Sequence, residues 1–218
     1  MAATNNKPDR TAAETKSLLK TALVLSIITV VYNIAEGAIS TVFGYQDDTI
    51  ALFGFGVDSF VEVVSGAGIL HMVWRMRRRP VSERDRFERQ ALYITGVIFF
   101  ILAAGLVAGS VINIIQQVKP STTLPGAVIS AVSIITMRVL YSFKMKVGRT
   151  LGSDPIIADA NCTKTCFYLS FILLASSVLY ELLRISYIDA AGGLGIALFA
   201  FREGKESFEK AGRNSLSS

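Results

Sequence analysis

The chain has 218 residues, of which 51% are hydrophobic and 18% are charged, and its mean hydropathy is +0.48. Soluble domains carry about 25% charged residues, so this composition excludes an ordinary soluble protein. The formal net charge is +5, but the basic residues stand near the ends of apolar stretches. That placement favours a topology signal and contact with lipid headgroups over nucleic-acid binding. We therefore expect an integral membrane protein without a nucleic-acid partner.

Six apolar stretches are each long enough to cross a bilayer as a helix, for which about 20 residues suffice. They comprise residues 18–43, 49–74, 90–116, 124–143, 155–182 and 187–206. This pattern predicts an all-α membrane protein with a domain of six transmembrane helices over residues 18–208. We expect a cytoplasmic tail over residues 1–17 and a second, short cytoplasmic tail over 209–218.

The distribution of the 22 lysines and arginines predicts the orientation of the chain. Most of them precede the first predicted helix or follow the second, fourth and sixth. The group after the fourth helix includes Lys144, while the opposite loops contain only Lys119 and Arg184. The positive-inside rule then places both termini in the cytoplasm. We expect the protein to lie in the cell membrane.

Two pairs of potential metal ligands lie inside apolar stretches and share one spacing. Asp58 and Glu62 stand in DSFVE of the second predicted helix, and Cys162 and Cys166 stand in CTKTC of the fifth. Residues i and i+4 share a helix face. A carboxylate at the bilayer centre costs about 2.5–3.5 kcal/mol on insertion scales, which favours a functional role for the acids. Helical rise places both pairs at similar depth, and their four donors suit a tetrahedral shell. We therefore expect a metal site and metal transport.

Each pair also has an alternative interpretation. For the carboxylates it is a buried ion pair with Arg138 or Lys164. For the cysteines it is simple burial, because cysteine behaves as a small apolar residue. A disulfide is disfavoured because both cysteines project from one helix, so we expect thiols.

Three further polar residues are candidates for the ion pathway, namely Asp159, Glu36 and Asn33. Asp159 lies one turn toward the cytoplasm from Cys162. It either guides a cation or is a first-turn acid favoured by the helix dipole. Asn33 and Glu36 form an i, i+3 pair on the first predicted helix. They either line an outward cavity or hydrogen-bond to a neighbouring helix.

Three segments together resemble the cation diffusion facilitator family. TIALFGFGVDSFVEVVSG resembles that family's second helix, with Asp58 and Glu62 at its two ligand positions. ADANCTKTCFYLSFILL resembles the fifth helix, with Cys162 and Cys166 where His and Asp are usual. DAAGGLGIALFAFREGKESFEKA resembles the sixth. The chain is similar to members that lack the family's C-terminal cytoplasmic metal-binding domain.

This resemblance implies efflux of a divalent cation by alternating access with proton antiport. The ligand charges supply a physical reason, because two carboxylates and two thiolates around one dication would bring four negative charges together. The metal-free site must therefore hold protons, which the metal displaces. Two sulfur donors favour Zn²⁺, with Cd²⁺ close behind, over Mg²⁺, Ca²⁺ and Mn²⁺, while Fe²⁺, Co²⁺ and Cu⁺ stay open.

The expected partners are the metal ion as cargo, protons, membrane lipid and a second copy of the chain in a homodimer formed through the transmembrane helices. No prosthetic group is expected. No nucleophile and base pair is recognisable on the loops, so an enzyme is not expected either. A non-transporting metal sensor or scaffold stays open as an alternative. A channel is less favoured, because the polar residues cluster at one depth and do not trace a pore.

Overall fold

The computed structural model describes residues 12–76 and 84–213. Over this part of the chain, the regular structure consists of α-helices alone, which confirms the predicted all-α class. The helices are α1 (Ala12–Gln46), α2 (Ile50–Met76), α3 (Arg84–Gln116), α4 (Leu124–Leu151), α5 (Asp154–Leu183) and α6 (Tyr187–Arg213).

The helices extend past the apolar stretches that predicted them. α1 begins inside the predicted N-terminal tail, α4 continues to Leu151 and α6 runs to Arg213. Hydropathy marks only the apolar part of a helix, whereas the backbone hydrogen bonds continue through lysine, arginine and glutamate, which are good helix formers. The helices therefore extend beyond the apolar stretches 18–43, 124–143 and 187–206, while the division into tails and a transmembrane domain stays a prediction.

Five helices contain a segment long and apolar enough to cross a membrane. These segments are Glu14–Gln46, Ile50–Gly68, Gly96–Gln116, Leu124–Leu151 and Asp159–Leu183. α6 does not reach the same hydropathy, because Asp189 lies near its start and charged residues recur from Arg202 onward. It nevertheless packs along α3: Gly193 lies against Ser110, and about four turns further on the ring of Phe208 stands 5.4 Å from that of Tyr93. The sixth helix is therefore an integral part of the bundle.

The six helices associate chiefly as three pairs, α1 with α2, α4 with α5 and α3 with α6. α2 and α5 bring the pairs together, because α2 contacts α3, α5 and α6 while α5 also contacts α6. One apolar core, which includes Phe55, Leu106, Leu173 and Ile196, joins α2, α3, α5 and α6. A second core joins α1, α4 and α5. The α2/α5 contact is thus the centre of the molecule.

Small residues let the helices approach closely both within the pairs and between them. A Cβ atom at Gly56 of α2 would lie only 2.6 Å from the backbone nitrogen of Thr41 on α1. A Cβ atom at Gly192 of α6 would lie 2.4 Å from Ser176 Oγ on α5. Transmembrane helices associate through such close contacts, because lipid provides no hydrophobic driving force between them.

The connections between α1 and α2, α3 and α4, and α5 and α6 meet at one end of the bundle. The backbone nitrogen of Ser121 donates to Asp47 O at 3.0 Å, and Tyr180 Oη donates to Pro120 O at 2.6 Å. In addition, Asp189 of α6 accepts the backbone N–H of Ile50 at 2.8 Å, at the start of α2. The loops poor in basic residues thus share an end, as the predicted topology requires. Which side of the membrane they face stays a prediction.

Candidate metal centre

Asp58 and Glu62 of α2 meet Cys166 of α5 in the interior of the bundle. One donor atom from each of these residues lies within 4.8 Å of the other two. The three side chains are buried, with relative exposures of 2%, 8% and 0%. Cys166 Sγ lies 3.8 Å from Asp58 Oδ2, where the thiol can donate a hydrogen bond to the carboxylate. The structure therefore brings together three of the four predicted ligands.

Local structure explains this convergence. Asp58 and Glu62 are one turn apart on a single face of α2, as their spacing predicts. On α5, Ser170 Oγ donates to the backbone oxygen of Cys166 at 2.8 Å and to Ser133 Oγ of α4 at 3.0 Å. These bonds tie the turn that carries Cys166 to the neighbouring helix, so that the thiol faces α2.

Cys162 is not part of the group. Its side chain is partly exposed, and its sulfur does not lie within 4.8 Å of all three other donors. A helical turn rises about 5.4 Å, so the crossing of α2 and α5 decides which turn of α5 faces the carboxylates. Residue spacing alone does not contain that information. Both cysteines are thiols, as expected, and no disulfide joins them.

Asn33 of α1 stands beside the carboxylates. Its Nδ2 donates to Glu62 Oε2 at 2.8 Å, and its side chain is fully buried. The oxygen of the same amide accepts no hydrogen bond from the residues that the structure describes, and neither does Asp58 Oδ1. Two buried oxygen atoms at this centre are therefore available to a cation. We expected Asn33 along the pathway, and the structure places it at the cluster itself.

Glu36 belongs to a hydrogen-bond network that links α1 to α2. Its Oε1 accepts from Tyr32 Oη at 2.9 Å, and its Oε2 accepts from Ser59 Oγ at 3.0 Å. The carboxylate is 5% exposed. Of the two interpretations left open by the sequence, hydrogen bonding to a neighbouring helix is the one that the structure shows.

Asp159 forms a buried ion pair with Lys144 of α4. Lys144 Nζ lies 2.8 Å from Asp159 Oδ2 and donates to Thr163 Oγ1 at 3.0 Å. The prediction that Lys144 follows the fourth helix was wrong, because α4 continues to Leu151. Its helical neighbours Met137, Leu140 and Val147 are apolar, a sequence signal that identifies a buried face.

The two basic residues proposed as alternative partners for the acids lie elsewhere. Arg138 is exposed and donates to Ser142 Oγ at 2.6 Å. Lys164 is exposed, with Nζ 5.7 Å from the centre of the Tyr168 ring. The interpretation of Asp58 and Glu62 as partners of either cation was therefore wrong.

The described residues form a helical membrane bundle with a buried group of carboxylates and a thiol at its centre. The pattern of the cation efflux transmembrane domain matches residues 22–214. The chain belongs to this family, the cation diffusion facilitators.

Several relatives are similar over most of this chain. An uncharacterized transporter of Methanocaldococcus jannaschii is 27% identical over 180 residues, which are 79% of this chain and 62% of the relative. Transmembrane protein 163 of Xenopus laevis is 26% identical over 202 residues, 92% of this chain and 69% of the relative. A manganese efflux system protein of Bacillus subtilis is 23% identical over 193 residues, 85% of this chain and 64% of the relative. The chain thus spans between 62% and 69% of the length of these relatives.

Proposed function

We propose that the protein exports a divalent transition-metal ion by alternating access, with protons moving in the opposite direction. The observation that carries this proposal is the meeting of Asp58, Glu62 and Cys166, whose donor atoms lie within 4.8 Å of one another. Ionisable side chains inside a membrane are costly and usually mark an ion or substrate path. Here α2 and α5 contribute donors from opposite sides, so a relative movement of the two helices would change access to the ion.

The donor set favours Zn²⁺, with Cd²⁺ close behind. A thiolate suits these ions and is a poor ligand for Mg²⁺ and Ca²⁺, which prefer oxygen. With Cys166 in the group and Cys162 outside it, the proposed site has one sulfur donor instead of two. Fewer sulfur donors make Mn²⁺ a better candidate than the sequence alone suggested, and the relative named for manganese efflux is consistent with this ion. Fe²⁺ and Co²⁺ fit the same mixed oxygen and sulfur shell.

Proton exchange follows from the contact between Cys166 and Asp58. At 3.8 Å, the Cys166 thiol can donate a hydrogen bond to the Asp58 carboxylate. A metal ion binds the thiolate and not the thiol, so its arrival must displace that hydrogen. Two carboxylates and a thiolate would also repel one another strongly in a buried site without a dication. Protons that return from the other side would neutralise these groups and release the metal.

Asp159 remains a proposed pathway residue, now as one partner of an ion pair. Its carboxylate lies one to two turns from Cys166 and is bound to Lys144. A cation that approaches from this side would compete with the lysine for the carboxylate. Glu36 and Asn33 lie on α1 beside α2, and we propose that they contact the ion path from the side of the first helix.

The experiment is transport by the purified full chain in liposomes with a zinc-sensitive dye and a pH-sensitive dye. We expect Zn²⁺ and Cd²⁺ flux accompanied by proton counterflow, and loss of both signals in Asp58→Asn. Arg138→Gln is a matched control, because this residue is exposed and donates to Ser142 of its own helix. Tight binding without flux would favour the alternative of a metal sensor, and flux without proton movement would contradict antiport.

We further infer a homodimer formed through the transmembrane helices. An apolar groove of about 740 Å³ runs between α3 and α6 and includes Ala104, Ala108 and Phe201 among its lining residues. Beside it, Gly105 has no surrounding atom within 4 Å of the position of a Cβ atom, which leaves room for a close helix contact. Light scattering of the purified protein in detergent tests this inference. The cell membrane as location and cytoplasmic termini are part of the same proposal.

A further inference from the structure

We propose that the side-chain oxygen of Asn33 is the fourth ligand of the transported ion, in place of the second cysteine. This inference rests on the proposed function, because it concerns the same site. It assigns a donor to α1, so that three helices and not two would enclose the ion.

The position of the amide supports this assignment. Asn33 is fully buried, and its Nδ2 donates to Glu62 Oε2 at 2.8 Å. Oδ1 is bonded to the same carbon as Nδ2, so it also lies near the Glu62 carboxylate. It accepts no hydrogen bond among the residues of the described ranges. A buried carbonyl oxygen without a partner costs about 1–3 kcal/mol, and a bound cation would remove that cost.

The chemistry of the shell also fits. Asp58, Glu62 and Cys166 supply three donors, whereas zinc and its neighbours usually take four. A neutral amide oxygen adds the fourth donor without a fourth negative charge. The Nδ2 hydrogen bond to Glu62 can persist while Oδ1 binds the ion, because the two atoms point to different partners. Cys162 lies outside the group and would add another thiolate to a site that already holds two carboxylates and one thiolate.

The resulting shell contains three oxygen donors and one sulfur donor. Compared with two oxygens and two sulfurs, it holds harder ions such as Mn²⁺ and Co²⁺ relatively better and Cd²⁺ relatively less tightly. Asn33 is therefore a residue that sets metal selectivity. A sulfur donor at its position should favour Cd²⁺ over Mn²⁺ and Co²⁺.

The test uses Cd²⁺ alone as the probe and the full chain in detergent, in a Cys162→Ala background. Binding is measured by titration, and the number of thiolate ligands is measured from ultraviolet charge-transfer absorption per bound Cd²⁺. We expect Asn33→Ala to weaken binding at least tenfold. We expect Asn33→Cys to add the absorption of one further thiolate.

Thr29→Cys is the matched control, because Thr29 is buried one turn earlier on α1 and its hydroxyl donates to the backbone oxygen of Leu25. It should add no thiolate absorption and leave Cd²⁺ affinity unchanged. A role of Asn33 in positioning Glu62 would lower affinity in Asn33→Ala but add no absorption in Asn33→Cys.

Unchanged thiolate absorption in Asn33→Cys, or binding by Asn33→Ala equal to its parent, would overturn the inference. If Asn33→Ala does not fold, the thiolate absorption of Asn33→Cys by itself decides whether residue 33 contacts the ion. The Cys162→Ala parent, whose remaining thiol is Cys166, separates this result from failure of the proposed function. If Cd²⁺ binding adds no thiolate absorption in this parent, the proposed site itself is wrong, whatever Asn33 does.

Discussion

Lys144 and Asp159 form an ion pair in the interior of the bundle, with 2.8 Å between Nζ and Oδ2 and exposed side-chain fractions of 1% and 6%. The pair joins α4 to α5 at a place where neither charge reaches bulk water. Thr163 Oγ1 accepts a further bond from the ammonium and itself donates to Asp159 O at 3.2 Å. The lysine is thus held by the same turn of α5 that precedes Cys166.

Removing one partner of this pair should destabilise the fold strongly. Breaking a buried ion pair costs about 3–5 kcal/mol, because it leaves an uncompensated charge in the interior. We expect losses of this size in the free energy of unfolding for Lys144→Met and for Asp159→Leu, measured by denaturant titration in micelles. The double variant Lys144→Met/Asp159→Leu should lose much less than the sum, since it leaves no charge.

A surface pair serves as the control. Lys205 Nζ lies 3.8 Å from Glu209 Oε1, with both side chains more than half exposed. Such pairs contribute little, so Lys205→Met should leave the unfolding transition unchanged. Additive losses in the double variant of the buried pair would contradict the proposed coupling of Lys144 and Asp159.

The two cysteines should differ in their importance for metal binding. Cys166 lies in the carboxylate group, whereas Cys162 does not. Cys166→Ala should therefore abolish thiolate absorption upon Cd²⁺ binding and weaken Cd²⁺ affinity at least 100-fold, while Cys162→Ala keeps both within about threefold. Titration of the two variants side by side checks this expectation. Equal losses would instead support the four-ligand site that the sequence predicted.

Replacing the thiol with a carboxylate should shift the metal preference. Cys166→Asp converts the proposed shell to oxygen donors only, which suit Mn²⁺ better than Zn²⁺ or Cd²⁺. We expect the ratio of Cd²⁺ to Mn²⁺ affinity to fall by more than tenfold. Competition titration measures the ratio, and Cys162→Asp is the control that should leave it nearly unchanged. A shift of equal size in the control would mean that added charge, and not the donor atom, causes the effect.

The sequence predicted the class of fold, and it placed two residues of the candidate site together, because both inferences depend on local periodicity. Apolar stretches marked all six helices, and the i, i+4 rule placed Asp58 and Glu62 on one face. The choice between Cys162 and Cys166 depends on how α2 and α5 cross, which no local pattern determines. The contact between Asn33 and Glu62 likewise depends on how α1 packs against α2.

Lys144 shows a different limit of sequence reasoning. Hydropathy groups it with the basic residues near the C-terminal end of α4, yet it continues the buried face of Met137 and Leu140. A charge on an apolar face predicts an oppositely charged partner at the same depth, and Asp159 is that partner. Helical periodicity was therefore the stronger signal at this position.

Asp189 of α6 should stabilise α2, the helix that carries Asp58 and Glu62. Its carboxylate accepts the N–H of Ile50 at 2.8 Å and that of Ala51 at 3.4 Å, both at the first turn of α2. These groups have no partner within the helix, and loss of a capping side chain costs about 0.5–2 kcal/mol.

We expect Asp189→Ala to lose stability toward the upper end of this range, because the carboxylate is 1% exposed. Asp189→Asn should lose about half as much, since its amide keeps one acceptor oxygen of similar reach. Unfolding in micelles measures both variants, and equal stability of Asp189→Ala and the unmodified chain would mean that α6 does not cap α2. Because the proposed metal ligands begin two turns further along α2, we also expect a small parallel loss of Cd²⁺ affinity in Asp189→Ala and a smaller one in Asp189→Asn.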